Sequence, residues 1–401
     1  MRIILVNKFW YLRGGTERVV FLTKQLLEEA GHTVEVFGMR HPDNNISNDY
    51  FIDNLDYESL QGFSKIRAGL KAIYNRDAKN KFEKLVKNFK PDVIHFHNIY
   101  HQLSYSLIDV VHKYHIPSVM TLHDYNLISP NYTLFHHGAI HEESQKGSYY
   151  RCILNNCMEH VGESIVATAS AYKKKWMKVQ DSIHAYIAPS EFLKQKHIAY
   201  GISPHLIEVI PNPLDMDSFA DTATVGKNVV YAGRLSEEKG LDILLDAAKK
   251  LPAIPFLIIG TGPLEQHIKH RIKDEHLDHV VWGGYKKGDE YISCLNHARL
   301  LVVPSLWYEN CPMSIVEAQA SGKVVVASDI GGIPELLPAT MLATPGNVDA
   351  WASRINEWYQ KSDKELIKAG DVLRKSAQKK HDPQTYIRSV LKVYHCAQSN
   401  V

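Results

Sequence analysis

Two glutamates, Glu309 and Glu317, are the residues of this chain best placed to do chemistry. They belong to the stretch Trp307-Tyr308-Glu309-Asn310-Cys311-Pro312-Met313-Ser314-Ile315-Val316-Glu317-Ala318-Gln319-Ala320. The apolar run Leu300 to Val303 ahead of it reads as a buried parallel strand, which Pro304-Ser305 ends. From Met313 onward Met313, Val316 and Ala320 repeat at helical spacing, and Gly322 is a stop. The segment is therefore strand, loop, helix, with Glu309 in the loop and Glu317 about one turn into the helix. A helix start offers unpaired backbone N–H groups and a positive dipole end, which suit phosphate or sugar oxygens. A carboxylate one turn on can accept two hydrogen bonds from a ribose diol, while the loop carboxylate can reach a sugar ring. Acids near a helix start also occur simply because they favour the helix, so the pair needs support from elsewhere.

That support comes from two cations and a group of histidines. Arg234 and Lys239 lie in Gly233-Arg234-Leu235-Ser236-Glu237-Glu238-Lys239-Gly240, between a strand, Asn228–Ala232, and a helix that begins at Leu241. Cations flanking a βα turn can converge on a diphosphate at the strand's C-terminal end. In the first half, the strand Asp92–Phe96 delivers His95, His97 and Asn98 to its end. The strand Ser118–Leu122 delivers His123-Asp124-Tyr125-Asn126. Open α/β sheets bind ligands at that edge. A histidine at a strand end is more often a structural hydrogen-bonder. His123 is read as functional because Asp124 and the His95/His97 strand would converge with it on one crevice. Gly14-Gly15, between the strand Ile3–Val6 and a helix from Thr16 to Ala30, lets the backbone come close to a ligand.

The elements that must hold these groups form two α/β domains. At 401 residues the chain is long enough for two. The βαβ opening is repeated after Pro211-Asn212-Pro213, which divides an N-terminal domain, residues 1–212, from a C-terminal one, residues 213–381. A final helix, 382–401, is expected to cross back to the first domain. Residues 41–62 read as irregular. Ser64 to Lys90 reads as one helical pattern with Ile66, Leu70, Ile73, Phe82, Leu85, Val86 and Phe89 as its buried stripe. Gly331-Gly332-Ile333-Pro334-Glu335 reads as a further turn into a helix.

With 45% hydrophobic and 22% charged residues the composition is that of an ordinary soluble protein, and a formal charge of +2 argues against a nucleic-acid partner. No apolar run reaches the ~18 residues of a membrane span, and Met1-Arg2-Ile3-Ile4-Leu5-Val6 is too short for a signal peptide. Five scattered cysteines do not suggest a disulfide framework, so a reducing cytoplasm is expected. Residues 127–162 form an insertion holding Cys152, Cys157, His136, His137, His141 and His160. A zinc site is conceivable there, but the spacing is not that of a C-x₂-C pair, and ordinary buried thiols are the preferred reading. Two basic stretches, Ser64 to Lys90 and Tyr172-Lys173-Lys174-Lys175-Trp176-Met177-Lys178, fit an anionic membrane surface, with the apolar stripe of the first spent on the core.

Taken together, Glu309-x₇-Glu317, the Gly233-Arg234-Leu235…Lys239-Gly240 turn, Gly331-Gly332-x-Pro334-Glu335, Gly14-Gly15-Thr16-Glu17 and Thr121-Leu122-His123-Asp124 resemble the retaining glycosyltransferases of family 4. The resemblance covers most of the chain. It implies the GT-B fold, with two Rossmann-like domains facing each other across a cleft. It implies that Arg234 and Lys239 hold the donor diphosphate and stabilise the leaving group without a metal or cofactor, and that Glu317 holds the ribose hydroxyls. Glu309 would contact the transferred sugar, with backbone N–H groups of Asn310, Cys311, Pro312's neighbour Met313 and Ser314 on its hydroxyls or on phosphate. Pro312 itself has no N–H to offer. His123 would touch the sugar from the other domain, and Gly15 would lie on the donor phosphate. Asn310-Cys311-Pro312 departs from the Gly-Phe-Gly-like loop of many members and is similar to a polysaccharide-assembly branch. Some relatives carry extra cysteine pairs where this chain has His141 and Ser144. The implied reaction moves a sugar from a nucleoside diphosphate, UDP favoured, to a hydroxyl of a glycan or lipid-linked acceptor, with the enzyme cytoplasmic or peripheral on the membrane. The alternatives are a GT-B nucleotide-sugar epimerase or an inactive sugar-nucleotide-binding protein.

Overall fold

The computed structural model describes residues 1–55, 62–144, 146–219 and 224–399. The chain divides into two compact units. One comprises Met1–His137, His141–Pro213 and the C-terminal segment from Pro383; the other comprises Gly138–Ile140 and Leu214–Asp382.

The first unit is built on six parallel strands: β1 (Arg2–Val6), β2 (Thr33–Phe37), β3 (Val93–Phe96), β4 (Ser118–Thr121), β5 (Ala185–Ala188) and β6 (Ile207–Val209), in the order β2-β1-β3-β4-β5-β6. Ile3, Ile4, Leu5 and Val6 are all buried. Such unbroken apolar runs are what a parallel strand covered on both faces requires. Part of that cover is the last helix, Pro383–Ser399, whose Tyr386, Ile387, Val390 and Tyr394 join Ile3, Leu5, Val93 and Ile187 in one core. Thr23 Oγ1 and Tyr386 Oη share a 2.8 Å hydrogen bond within it.

The Ser64–Lys90 pattern is two helices, Gly62–Ile73 and Arg76–Phe89. Asn75 breaks the run: its side chain accepts from Ala78 N–H as an N-cap, so a new helix starts there. Only the second helix buries the expected stripe. Ile66 and Leu70 of the first are 62% and 63% exposed, and Ala68 and Ala72 face the interior instead. This overturns the expectation that the first stripe is spent on the core. Gly69 explains the choice, since the helix packs so closely on Val161–Trp176 that a Cβ at Gly69 would come 3.1 Å from Val166. Of the expected irregular stretch 41–62, residues 56–61 lie outside the described residues, and Met39 and Ile52 form a parallel bridge before them.

The second unit repeats the architecture with β7 (Asn228–Ala232), β8 (Phe256–Ile259), β9 (Val280–Trp282), β10 (Ala298–Val303), β11 (Val324–Ser328) and β12 (Leu342–Ala343), in the order β9-β8-β7-β10-β11-β12. This is the doubly wound order in which the chain reverses direction across the sheet between β7 and β10. Arg234 follows β7 and Glu309 follows β10. The topology thus carries both residue groups to one switch point, where helices on either side diverge and leave a crevice.

Candidate active site

In the second unit, the turn after β7 runs through Ser236 into a single 3-10 turn, Glu237–Lys239, and then into the helix Leu241–Lys249. Gly240 makes the junction in the left-handed region (φ 69°), and a Cβ there would lie 2.0 Å from Pro304 O. Only glycine allows the two loops to touch backbone to backbone. Leu306 N–H donates to Glu238 O at 2.8 Å and completes that contact. Lys239 is thereby set against the β10 loop, where its Nζ donates to Glu309 Oε1 at 2.7 Å. Ser305 Oγ donates to the same oxygen at 2.7 Å, and the Lys239 ammonium stands 4.9 Å from the Trp307 ring centre.

Glu309 is 5% exposed. Burial pushes its carboxyl upward, but the Lys239 charge and the hydrogen bonds from Lys239 and Ser305 outweigh burial and leave it below the usual range. It is a fixed, ionised carboxylate. Its backbone is braced from behind by Gly331-Gly332. Gly331 (φ 62°) could not carry a Cβ, which would fall 2.3 Å from Glu309 O, and Gly332 N–H donates to that oxygen at 2.7 Å. The double glycine, read from sequence as a turn into a helix, thus precedes only a single 3-10 turn, Ile333–Glu335, and positions the Glu309 loop.

Pro312 ends that loop as the N-cap of the helix Met313–Ala320. Asn310 and Cys311 are buried, Met313 and Ser314 partly so. Glu317 lies inside the helix, 2% exposed, and Tyr291 Oη donates to its Oε2. Tyr291 belongs to the helix Gly288–Asn296, far away in sequence, and no pattern of residue types announces it. Arg234 stands apart from these contacts. It is exposed, and among the described residues its guanidinium makes no ion pair, while its carbonyl accepts from Tyr231 Oη at 2.7 Å. A buried carboxylate paired with a partly exposed lysine, and an exposed arginine on the lysine's turn, offer charge of both signs at the end of one sheet.

The sequence reading expects no Asp-x-Asp to hold a metal at the diphosphate, but the chain has one, Asp215-Met216-Asp217. It is spent locally: Asp215 accepts from Asp217 N–H and Ser218 Oγ to cap a 3-10 turn.

In the first unit, Gly15 opens the helix Gly15–Glu29 after Gly14 as N-cap. His123 Nε2 and His97 Nδ1 are 2.9 Å apart and their rings stack at 5.2 Å. Burial lowers the His123 pKa to about 3 and that of His97 well below its usual value, so both imidazoles are neutral. The His95 ring lies 4.3 Å from that of His97, centre to centre, on the core side of the pair. It is held in the core, Nδ1 by Tyr394 Oη at 2.8 Å and Nε2 by Thr121 Oγ1 at 2.7 Å, and it ties the last helix to the sheet. Asp124 accepts from Tyr100 Oη and, at 2.9 Å, from Asn126 N–H. Lys8 is the residue here that sequence reasoning missed. Its ammonium sits 3.8 Å over the Tyr100 ring, and burial lowers its pKa to about 8 against the opposing pull of Asp124 and Glu17. A lone lysine just past a strand gives no signal in sequence.

The insertion corrects a further expectation: Cys152 and Cys157 are joined in a disulfide rather than being free thiols.

Two doubly wound parallel-sheet units, the second with charged groups of both signs gathered at its switch point, define a GT-B protein. Sequence profiles agree: that described as Glycosyltransferase Family 4 matches residues 13–218, and that described as Glycosyl transferases group 1 matches residues 220–379. The chain belongs to glycosyltransferase family 4. It is 28% identical over 353 residues to an uncharacterized 42.6 kDa protein in the cps region of Klebsiella pneumoniae, covering 84% of this chain and 87% of that one. It is 29% identical over 199 residues to the amylovoran biosynthesis glycosyltransferase AmsK of Erwinia amylovora, covering 45% and 49% of the two chains. Among solved structures it resembles HepE of Anabaena in complex with UDP and glucose, with a TM-score of 0.67 at 19% identity over 98% of both chains.

Proposed function

We infer that this glycosyltransferase transfers a hexose from a UDP-sugar to a hydroxyl of a lipid-linked glycan, with retention of anomeric configuration, in the assembly of a polysaccharide. The observation that carries the reading is the Lys239–Glu309 ion pair at the β7/β10 switch point, its carboxylate buried and its lysine partly so, with Arg234 exposed on the same turn as Lys239. Arg234 and Lys239 take the diphosphate, and Lys239 keeps its position through Glu309. Glu309 meets the sugar hydroxyls, backbone N–H groups of Asn310, Cys311, Met313 and Ser314 meet sugar or phosphate oxygens, and Glu317, aimed by Tyr291, takes the ribose diol. The family resemblance assigns His123 to the sugar and Gly15 to the donor phosphate.

The bond from the anomeric carbon to the diphosphate oxygen breaks as the acceptor oxygen bonds to the same face. The acceptor proton passes to the departing diphosphate. Catalysis is then mainly stabilisation of the negative charge that develops on the leaving group, and Arg234 and Lys239 supply it without a divalent metal. A UDP-sugar donor is supported by the HepE likeness, and polysaccharide assembly by the AmsK likeness.

The test is incubation with UDP-, GDP- and ADP-sugars, with and without a polyprenyl-linked glycan, in excess chelator. Release of UDP only when acceptor is present, with an α-linked product from an α-linked donor, is the expected result. UDP release or C2 inversion without acceptor points to the epimerase, and binding without turnover to an inactive binding protein. Activity lost in chelator and restored by magnesium overturns the metal-free reading.

A further inference from the structure

The insertion holds a cluster that the transfer reaction does not use. His136, His141 and Glu143 each present one ligand atom, and these atoms lie within 4.8 Å of one another. The imidazoles of His136 and His141 stack face to face at 3.9 Å, 14° from parallel. His141 Nδ1 is 3.0 Å from Glu143 Oε1, and Asn155 Nδ2 donates to that same oxygen at 2.8 Å.

His95, in the core of the first unit, has a hydrogen-bond partner at both ring nitrogens. His136 does not: it is 4% exposed, and its Nδ1 is buried with no hydrogen-bond partner. A buried ring nitrogen left unpaired is costly unless something absent from the polypeptide fills the place. Two imidazoles this close cannot both be protonated without strong repulsion, so at least one offers a lone pair.

We propose that His136, His141 and Glu143 bind a divalent first-row transition metal ion that pins the insertion. Two imidazoles and one carboxylate select zinc and its neighbours over magnesium and calcium, which prefer all-oxygen sites. The ion takes the place of the proton between His141 and Glu143, and the rings turn out of their stacked arrangement to bring a nitrogen of each onto it. Asn155 orients the carboxylate, an outer contact of the kind that tunes metal sites. No residue of this cluster is among those assigned to the donor under the proposed function.

The full, tag-free chain is stripped with chelator, dialysed, and titrated with Zn²⁺ by calorimetry and with Co²⁺ by visible absorption. One equivalent is expected, with a rise in melting temperature on addition. His136→Ala and His141→Asn should each abolish saturable binding, and Asn155→Ala should weaken it about tenfold or more. The double variant Cys152→Ser/Cys157→Ser should bind as the parent does. Circular dichroism of the histidine variants checks that they remain folded. A parent chain that takes up no metal overturns the assignment. So does binding that survives both histidine changes, or binding that disappears with the cysteines, which would make the thiols the ligands.

Discussion

At the scale of single residues, Arg234 and Lys239 share a proposed role but differ in what else depends on them. Either change to Ala should lower turnover by about 10²-fold or more, as when any fixed group facing a developing charge is removed. Stability separates the two. Arg234 is exposed, so Arg234→Met should alter it by no more than about 0.5 kcal/mol. Lys239→Met leaves the buried Glu309 carboxylate without its counter-charge, held by Ser305 and Trp307 alone, and should cost about 1–3 kcal/mol. Denaturant unfolding of both variants is the measurement; equal stability would show that the pair does not hold the loop. The two glutamates divide similarly. Glu317→Ala and Tyr291→Phe should weaken binding of UDP and UDP-sugar alike, whereas Glu309→Ala should spare UDP and weaken only the sugar donor. Calorimetry with both ligands decides, and equal losses for Glu309→Ala would remove it from the sugar.

At the scale of elements, the helix Val161–Trp176 contains an unusual inward charge. Lys174 is 4% exposed and donates to Asn126 O, so it is not part of the solvated basic cluster that the sequence suggests. Burial lowers its pKa to about 7, with Asp124 pulling the other way. In the unfolded chain a lysine titrates near ~10.4. Between those two values the unfolded chain binds the extra proton, so this group makes the fold more stable as pH rises through the window. Lys174→Met should flatten the rise of stability between pH 7 and 10 by up to about 1.4 kcal/mol per pH unit. Lys8 remains in the variant, with its own folded value of about 8, so some slope will persist. Urea unfolding of both proteins at several pH values tests this, and parallel curves would refute it.

The same elements show where sequence reading succeeds and where it stops. Strands are legible because a parallel sheet covered on both faces demands continuous apolar runs, and β1, β7 and β10 have them. Glu309, Glu317, Arg234 and Lys239 are legible because the chain brings each to a turn after a strand or a helix start. What escapes is pairing across sequence distance. Nothing in the Gly288–Asn296 helix says that Tyr291 meets Glu317, and nothing after β1 says that Lys8 lies over Tyr100. Helical periodicity also could not see Asn75 restart the helix, or Gly69 turn Ile66 and Leu70 outward, because both effects come from a neighbour rather than from local pattern.

At the scale of the whole molecule, no helix among the described residues is long and apolar enough to cross a membrane. The first unit has a face suited to the surface of an anionic leaflet, where a lipid-linked acceptor would be met. The helices Gly62–Ile73 and Val161–Trp176 run side by side in the same direction, through Lys65–Glu163, Gly69–Val166, Ala72–Ser170 and Tyr74–Lys173. Their outer sides carry Ile66, Leu70, Val161, Ile165 and, 75% exposed, Trp176. Arg67 and Lys175 are exposed among them. The neighbouring helix is less basic in effect than its composition implies, since Lys79, Lys81 and Lys87 are paired with Asp109, Asp77 and Glu83. Attraction to an anionic leaflet, about 1 kcal/mol for each basic residue near it, is then joined by an apolar term that salt does not screen. We predict that the protein sediments with vesicles rich in anionic lipid at low salt, that added salt reduces the bound fraction without abolishing it, and that Ile66→Ser/Leu70→Ser/Trp176→Ser frees it into the supernatant. A parent chain that stays in solution at low salt, or a triple variant that pellets as the parent does, would make a water-soluble glycan the better acceptor.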